Sequence, residues 1–285
     1  MDLTPAQLRK QEREIASRYT GGFPWLMLVW PLLNTSMWLA LWPLVMSGVM
    51  PLWLGFVIAC ICVTLSYLPS HEAQHDIYFP RSSRWHWVNE AIGQYSVLPL
   101  AMALSTLRVT HLEHHRHAND PVLDPDFHMN APGVWPAIWK AITKGQAAND
   151  RYGPALRRLG TAAARQAMLH GLISKLLFFG ILTVLAWTGW PLEAALLWWL
   201  PRHVGLAYIN FYLSWAPHYP DPQVGRYNDT RAFKSRLGNL GSLGMQYHII
   251  HHLYPTIPLN RHPAVYRELR PILKQQGCAV GDLHG

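Results

Sequence analysis

Four long apolar stretches run through this chain between polar segments: Phe23 to Ser47, Pro51 to Leu68, Leu172 to Trp190 and Leu192 to Leu213. At about 1.5 Å per helical residue, each is long enough, or nearly so, to cross a hydrocarbon layer of about 30 Å. Gly48 to Pro51 and Gly189 to Pro191 interrupt the runs, so the pattern predicts two tight helical hairpins. A fifth apolar stretch, Ala91 to Leu107, is shorter and reads differently below. Ahead of the first run, Thr4, Pro5 and Gln7 form a capping-box pattern that opens a short charged helix ending near Arg18. No small-residue cleavage site follows it, so the first apolar run is expected to stay in the mature protein.

Composition agrees with a membrane setting. Half of the 285 residues are apolar and 14% are charged, against about 25% charged in an average soluble protein. Fourteen tryptophans, many near the ends of the apolar runs, fit the aromatic belts of a bilayer. No glycine/serine linker, charge block or repeat marks a boundary, so residues 1–285 read as one domain. The three cysteines, Cys60, Cys62 and Cys278, form neither a disulfide framework nor a metal-ligand spacing. Apart from Lys175 and Arg202 inside the predicted spans, every Lys and Arg precedes Phe23, lies between Leu68 and Leu172, or follows Leu213. The positive-inside rule places those three regions, including residues 1–20, in the cytoplasm. The expectation is an all-α, multi-pass integral membrane protein of the inner membrane, with four transmembrane helices and a cytoplasmic helical cap.

Histidine supplies the chemistry. Nine of sixteen fall into four groups: His71 and His75; His111, His114 and His115; His218; and His248, His251 and His252. On a helix, residues three and four apart lie one above another, so H-E-A-Q-H, H-L-E-H-H and H-I-I-H-H each aim their imidazoles in one direction. One ion takes at most about six such ligands, and nine imidazoles from separate segments point to two ions side by side. His218 stands alone in sequence, but it follows the fourth run at the level where the other groups emerge. If residues 91–107 crossed the membrane, the first two groups would lie on opposite sides and could not share a site. That stretch is therefore read as a re-entrant or interfacial segment returning to the cytoplasmic side.

Other residues fall into place around the histidines. Glu72, Asp76, Glu113 and Asp120 are candidates to accept the second N–H of a metal-bound imidazole, with Asp124 and Asp126 equally readable as solvated loop charges. His117 is a spare candidate ligand. His86, His128, His170, His262 and His284 lack a partner at helical spacing and are expected at solvent or an interface. Arg202 and His203, after Pro201 in the fourth run, are costly in lipid; they either line a substrate tunnel or brace the site. Imidazole without cysteine suits iron, zinc, copper or nickel and disfavours an iron–sulfur cluster.

The three boxes His71–His75, His111–His115 and His248–His252 resemble those of the membrane-bound fatty acid desaturase and hydroxylase superfamily. The resemblance covers roughly residues 50–275. Within it, H-H-R-H-A-N-D-P-V-L-D-P-D after the second box, Y-H-I-I-H-H-L-Y-P-T-I-P at the third, and Ala216-Pro217-His218 are most similar to the carotenoid ring hydroxylases. The resemblance implies two non-haem iron ions that activate O2 and remove hydrogen from an unactivated C–H bond. It implies His218 as a further ligand, matching a histidine between the second and third boxes of the acyl-CoA desaturases. Those enzymes carry an asparagine four residues earlier for a water-mediated contact, where this chain has Ser214; Asn210, about one turn before, is the available substitute.

A carotenoid ring hydroxylase is thus the leading expectation, with a fatty acyl desaturase as the alternative. A membrane metal-binding or transport protein is the rival of another class, but Arg202 and His203 make a poor path across a bilayer. The chain has no dinucleotide-binding turn, cysteine run or haem-domain length, so an external reductant is required. A separate donor such as a ferredoxin or a cytochrome b5-like protein, with its reductase, is expected, and no nucleic-acid partner. Most of the net charge of +8 lies on the predicted cytoplasmic face, in Arg151, Arg157, Arg158, Arg226, Arg231, Lys234 and Arg236. It suits an acidic carrier or anionic lipid.

Overall fold

A computed structural model describes residues 4–144, 152–219, 223–281 and 283; Arg151 and His284 lie outside the described residues. Among these, every regular element is helical and no strand occurs. The N-terminal helix α1 (Pro5–Ser17) is capped by Thr4, whose side chain accepts the Gln7 N–H while the Gln7 side chain accepts the Thr4 N–H. Then come α2 (Trp25–Met46), α3 (Leu52–Leu65), α4 (Tyr67–Gln74), α5 (His86–Ser96), α6 (Leu104–His117) and α7 (Val134–Lys144). The second half holds α8 (Gly153–Leu159), α9 (Ala162–Trp187), α10 (Pro191–Ala194), α11 (Leu200–Ile209), α12 (Gly238–Gly241), α13 (His248–Leu253) and α14 (His262–Gln275).

Among the described residues, three helices are long and apolar enough to cross a membrane: Trp25–Met46, Leu52–Gln74, which joins α3 and α4, and Ala162–Trp187. Two run well beyond their expected bounds. The second continues past Leu68 and carries the first histidine box on its last turns, and the third begins at Ala162 rather than Leu172. The fourth expected span differs in kind. From Pro191 to Trp215 the backbone is helical throughout, but Ala195–Trp199 and Asn210–Trp215 are π-helical. Such wide turns mark places where a side chain or a site interrupts the regular ladder.

Close packing joins these helices through small residues. A Cβ on Gly205 would stand 2.8 Å from a Val63 methyl and 3.2 Å from the backbone of Thr64, so α11 and α3 touch nearly backbone to backbone. Gly93 meets Ala73 and Leu104 in the same way and brings α5 against the first box. Several polar side chains in the apolar layer bond to backbone carbonyls of neighbouring segments, as a lipid solvent favours. Asn34 donates to the Cys62 carbonyl at 2.8 Å, Trp38 to Leu197 at 3.0 Å and Trp198 to Pro99 at 2.9 Å. In contrast, α9 fully buries only Ala164, Ala167 and Phe178, leaving most of its Leu, Ile and Val side chains on the outside, with Leu182 packed partly against the core.

The stretch 91–107 does not form one helix. The α5 helix ends at Ser96, the chain reverses through Val97–Ala103, and α6 starts at Leu104. Gln94 pins the reversal, donating to the Met102 carbonyl at 3.1 Å and accepting the Leu104 N–H at 2.9 Å. The turn thereby returns α6 to the end of α4, which sets the second box beside the first. Behind the third box, α1 packs on α14, and Glu12 of α1 is fully buried against Arg226, Tyr227 and Tyr254.

The Gly205 contact yields a direct test. Replacing Gly205 by leucine overpacks the α3–α11 seam and should lower stability by about 1–3 kcal/mol, read as a lower thermal midpoint in detergent, whereas Gly180→Leu, where a Cβ meets nothing within 4 Å, should not.

Candidate metal centre

The four histidine groups meet at one place. His71 and His75 come from the end of α4, His111, His114 and His115 from α6, His248, His251 and His252 from α13, and His218 from just beyond the π-helical stretch Asn210–Trp215. They sort into two clusters by space rather than by box. One holds His71, His75, His111 and His251, and the other His114, His218, His248 and His252, with the ligand atoms of each cluster within 4.8 Å of one another. His115 joins the first: its Nε2 lies 3.1 Å from His111 Nε2 and 2.8 Å from His251 Nε2. Its ring also stacks on His252 at 4.2 Å, so the clusters are neighbours.

The spacing fits metal ions. A nitrogen ligand sits about 2.1 Å from a transition metal, so ligands at right angles are about 3.0 Å apart. In the first cluster His111 Nε2 is 2.9 Å from His75 Nε2 and 3.3 Å from His251 Nε2; in the second, His114 and His218 approach at 3.2 Å. Tautomers sharpen the fit. His218 Nδ1 donates to the Asp229 carbonyl at 2.8 Å and His114 Nδ1 to the Asp124 carboxylate at 2.9 Å. Both Nε2 atoms thus present lone pairs toward the same point, and a proton or a cation must stand there. Among the described residues, both nitrogens of His71 and His252 and Nδ1 of His248 are buried without a hydrogen-bond partner, a cost that ligation through one nitrogen of each ring lowers. All nine donors are imidazole nitrogens.

Electrostatics holds most of the set in the ligating form. Burial, reinforced by neighbouring imidazoles, keeps His111, His115, His248, His251 and His252 well below the ordinary histidine range. Burial takes His75 down to about 4 and His218 to about 3. His114 is the exception. Burial pulls it down, but the charge and hydrogen bond of Asp124 overcome this and raise it to about 9. In the metal-free protein a proton on His114 therefore occupies the direction that a cation would take.

The surrounding carboxylates do not all stand where the sequence places them. Asp124 holds His114 and also accepts the N–H groups of Asn119 and Asp126 at 2.8 Å each. Asp229, which sequence reasoning missed altogether, supports His218 through its carbonyl, and its carboxylate lies 4.0 Å from His252 Nδ1. No local spacing announces it. Asp120 does not reach the imidazoles; it accepts the Val122 and Leu123 N–H groups in a tight turn. Glu113 pairs with Arg116 and lies 3.8 Å from His117, on the side of α6 turned away from the ligands, so His117 joins neither cluster. Glu72 accepts the Leu259 N–H at 3.0 Å, tying the first box to the segment after the third.

Asp76 acts at a different place. With His86 and Glu90 it forms a small cation-like cage, but Arg108 fills it, bonding both Glu90 oxygens, the Ala73 carbonyl at 2.8 Å and Asp76 at 3.4 Å. His86, expected at solvent or an interface, is held there, partly buried, by Asp76 at 3.0 Å. His262, likewise expected at solvent or an interface, is fully buried, donates from Nε2 to the Ile257 carbonyl at 3.0 Å and lies 6.1 Å from the His251 ring. Its burial follows from α14 closing over α13, which no i, i+4 pattern signals.

A cavity opens beside the clusters. Its wall includes His71, His111, His114 and His248, the apolar side chains Met102, Leu107, Leu206, Ile209 and Leu213, and Asn210, Ser214 and Asp126. Asn210 and Ser214 are brought there by the π-helical turn. Arg202 and His203 are not on that wall. Arg202 is buried, donates to the Leu100 carbonyl at 2.6 Å and lies over the Phe178 ring, bracing the 97–103 reversal against α11. His203 meets the Trp199 carbonyl at 2.8 Å.

With this geometry in view, sequence comparison is decisive: the family model described as "Fatty acid desaturase" matches residues 47–283. The chain belongs to that family. It is an oxidoreductase. A beta-carotene ketolase of Paracoccus sp. is 29% identical over 207 residues, 70% of this chain and 72% of the relative. A zeaxanthin 4-ketolase of Chlamydomonas reinhardtii is 34% identical over 76 residues, but the match spans only 16% of that protein and 26% of this one. A sn-1 oleoyl-lipid 12-desaturase of Picosynechococcus sp. is 31% identical over 75 residues, 24% of this chain and 22% of its own length. The carotenoid relatives are thus ketolases, where the sequence motifs pointed to ring hydroxylases of the same superfamily.

Two outcomes follow for the centre. Asp124→Asn removes the charge that orients His114 and should weaken metal binding about 10–100-fold, measured by competition with a chelator. The metal-free protein should lose thermal stability on both sides of about pH 6.5. As pH falls from there toward about 4 and 3, the unfolded chain takes up protons that buried His75 and His218 refuse. As pH rises toward about 9, the folded chain loses the proton that Asp124 holds on His114. A flat midpoint from pH 4 to 9 would contradict these assignments.

Proposed function

We propose that this chain is a membrane-embedded di-iron oxygenase that uses O2 and electrons from a separate carrier to oxidise a ring carbon of a carotenoid. The observation that carries this reading is the meeting of nine imidazoles in two adjoining clusters, a donor set suited to two ions. His71, His75, His111, His115 and His251 would hold one iron, and His114, His218, His248 and His252 the other. The bound pair supplies O2 activation and cleavage of an unactivated C–H bond.

The chain's own residues do the rest. Asp124 and the Asp229 carbonyl fix the tautomers of His114 and His218, so that lone pairs face the metals. Leu107, Leu206, Ile209 and Leu213 wall the adjoining cavity and exclude water while seating an apolar group over the centre. Which carbon reacts depends on that placement. The substrate assignment rests on the beta-carotene ketolase relative, which is matched over most of both chains. A ketone at a ring methylene requires two successive oxidations at one carbon, and the first of them is a hydroxylation.

Four spans, the fourth being the π-interrupted rod Pro191–Trp215, would put the histidine clusters on the cytoplasmic side. Of the basic residues expected to receive an acidic donor, Arg226 is ion-paired with Glu12, while Arg157, Arg158, Lys234 and Arg236 are exposed and keep their charge at the surface. A ferredoxin or cytochrome b5-like donor remains the proposed partner class.

Expression in a host that makes β-carotene, with metal analysis of the purified protein, tests the reading. Two irons per chain and oxygenated ring products are expected. New acyl double bonds without oxygenated pigment would transfer the chain to the lipid desaturases, and zinc alone in a protein that oxidises nothing would end the oxygenase reading.

A further inference from the structure

The cavity beside the imidazoles has one feature that a hydrocarbon substrate does not need. Asp126 stands on a wall otherwise made largely of apolar side chains and ligand rings. Its position is fixed from two directions. Its backbone N–H donates to Asp124 Oδ1 at 2.8 Å, the same oxygen that accepts from His114 Nδ1, and its Oδ2 accepts from Ser214 Oγ at 3.2 Å. Asp126 is therefore locked to the imidazole that faces the metal position and to the π-helical turn that carries Ser214. A carboxylate offers about four acceptor positions, and among the described residues Ser214 is the one side chain that donates to it.

We propose that Asp126, presented by Ser214, is a subsite for a hydroxyl group on the reacting carbon, so that the cavity retains a ring alcohol for a second oxidation. This rests on the carotenoid reading above and deepens it. The first oxidation converts a ring CH2 to CHOH, consuming one O2, two electrons and two protons and releasing one water. The alcohol O–H then donates to Asp126, which keeps the remaining C–H of that carbon toward the metals. The second oxidation consumes the same co-reactants and gives a geminal diol, which loses water to the ketone. The reductant is the external carrier already required. An apolar wall alone would let the more polar alcohol leave; a charged acceptor beside the reacting carbon favours its retention.

The experiment compares wild type with Asp126→Asn, Ser214→Ala and Ser214→Thr, each supplied with β-carotene or with its ring alcohol. Metal content is measured for each protein. Loss of a hydrogen bond to a charged group is expected to slow the alcohol-to-ketone step about tenfold more than the first step in Asp126→Asn, so that alcohol accumulates. Ser214→Ala should shift the ratio in the same direction, and Ser214→Thr, which keeps the hydroxyl, should bring it back. A second readout is independent of turnover. In protein loaded with zinc, binding of the ring alcohol, followed by tryptophan quenching, should weaken in Asp126→Asn more than binding of β-carotene does.

Equal loss of both steps, with an unchanged ratio of alcohol to hydrocarbon binding, would overturn the subsite. If Asp126→Asn fails to fold or to hold metal, the serine pair decides: an unaltered product ratio in Ser214→Ala overturns it. A wild type that stops at the alcohol also overturns it, while leaving carotenoid oxygenation in place. A wild type that oxygenates no ring at all removes the functional reading itself.

Discussion

Everything in this fold answers to one electrostatic demand: imidazole lone pairs from distant parts of the chain point at each other across about 3 Å and need a positive charge between them. Neutral imidazoles so arranged repel unless a proton or a metal ion intervenes. Burial denies protons to most of them, and the exception, His114, owes its proton to Asp124. The arrangement is therefore poised for cations and expensive without them. Metal binding and folding are coupled in such a site, because the ligands are assembled only in the native chain.

The architecture reads as a means of meeting that demand in a membrane. The α4 end, α6, α13 and the segment after the π-helical turn each deliver imidazoles, and each is anchored elsewhere by a contact that has nothing to do with metal. Gln94 fixes the reversal that returns α6 to α4. Glu72 ties the first box to Leu259, beyond the third. Arg108 spans α4, α5 and α6 through Ala73, Asp76 and Glu90. Buried Glu12 fastens the N-terminal helix to Tyr254, two residues past His252. These charged and polar ties restrict the imidazoles to one geometry before any ion arrives, which is how a scaffold makes a site selective for its coordination number.

The π-helical stretches serve the same end from the other side. Had residues 191–215 kept α-helical pitch, Asn210 and Ser214 would be rotated with respect to the cavity. The wider turn brings both to its wall and leaves His218 beyond it in contact with His114. An apolar cavity bordered by a few fixed polar groups is the usual form of a site that must orient a hydrophobic ligand.

Much of this was legible from local pattern. The i, i+3 and i, i+4 spacing of the boxes, the capping box at Thr4 and three of the apolar spans follow from helical periodicity, which depends on neighbours in sequence. The need for residues 91–107 to turn back also came from sequence, through the requirement that two boxes share a site. What periodicity could not supply was anything set by residues far apart in the chain. It did not show that clusters form across boxes, with His114 and His115 of one helix turn facing different centres. Nor did it show that Asp124 and Asp229 rather than Asp120 and Glu113 support the imidazoles, that Arg202 is a brace, or that His262 is buried. A side chain's period tells which way it points along its own helix; what it meets there is decided by how the helices cross, and only the folded chain contains that information.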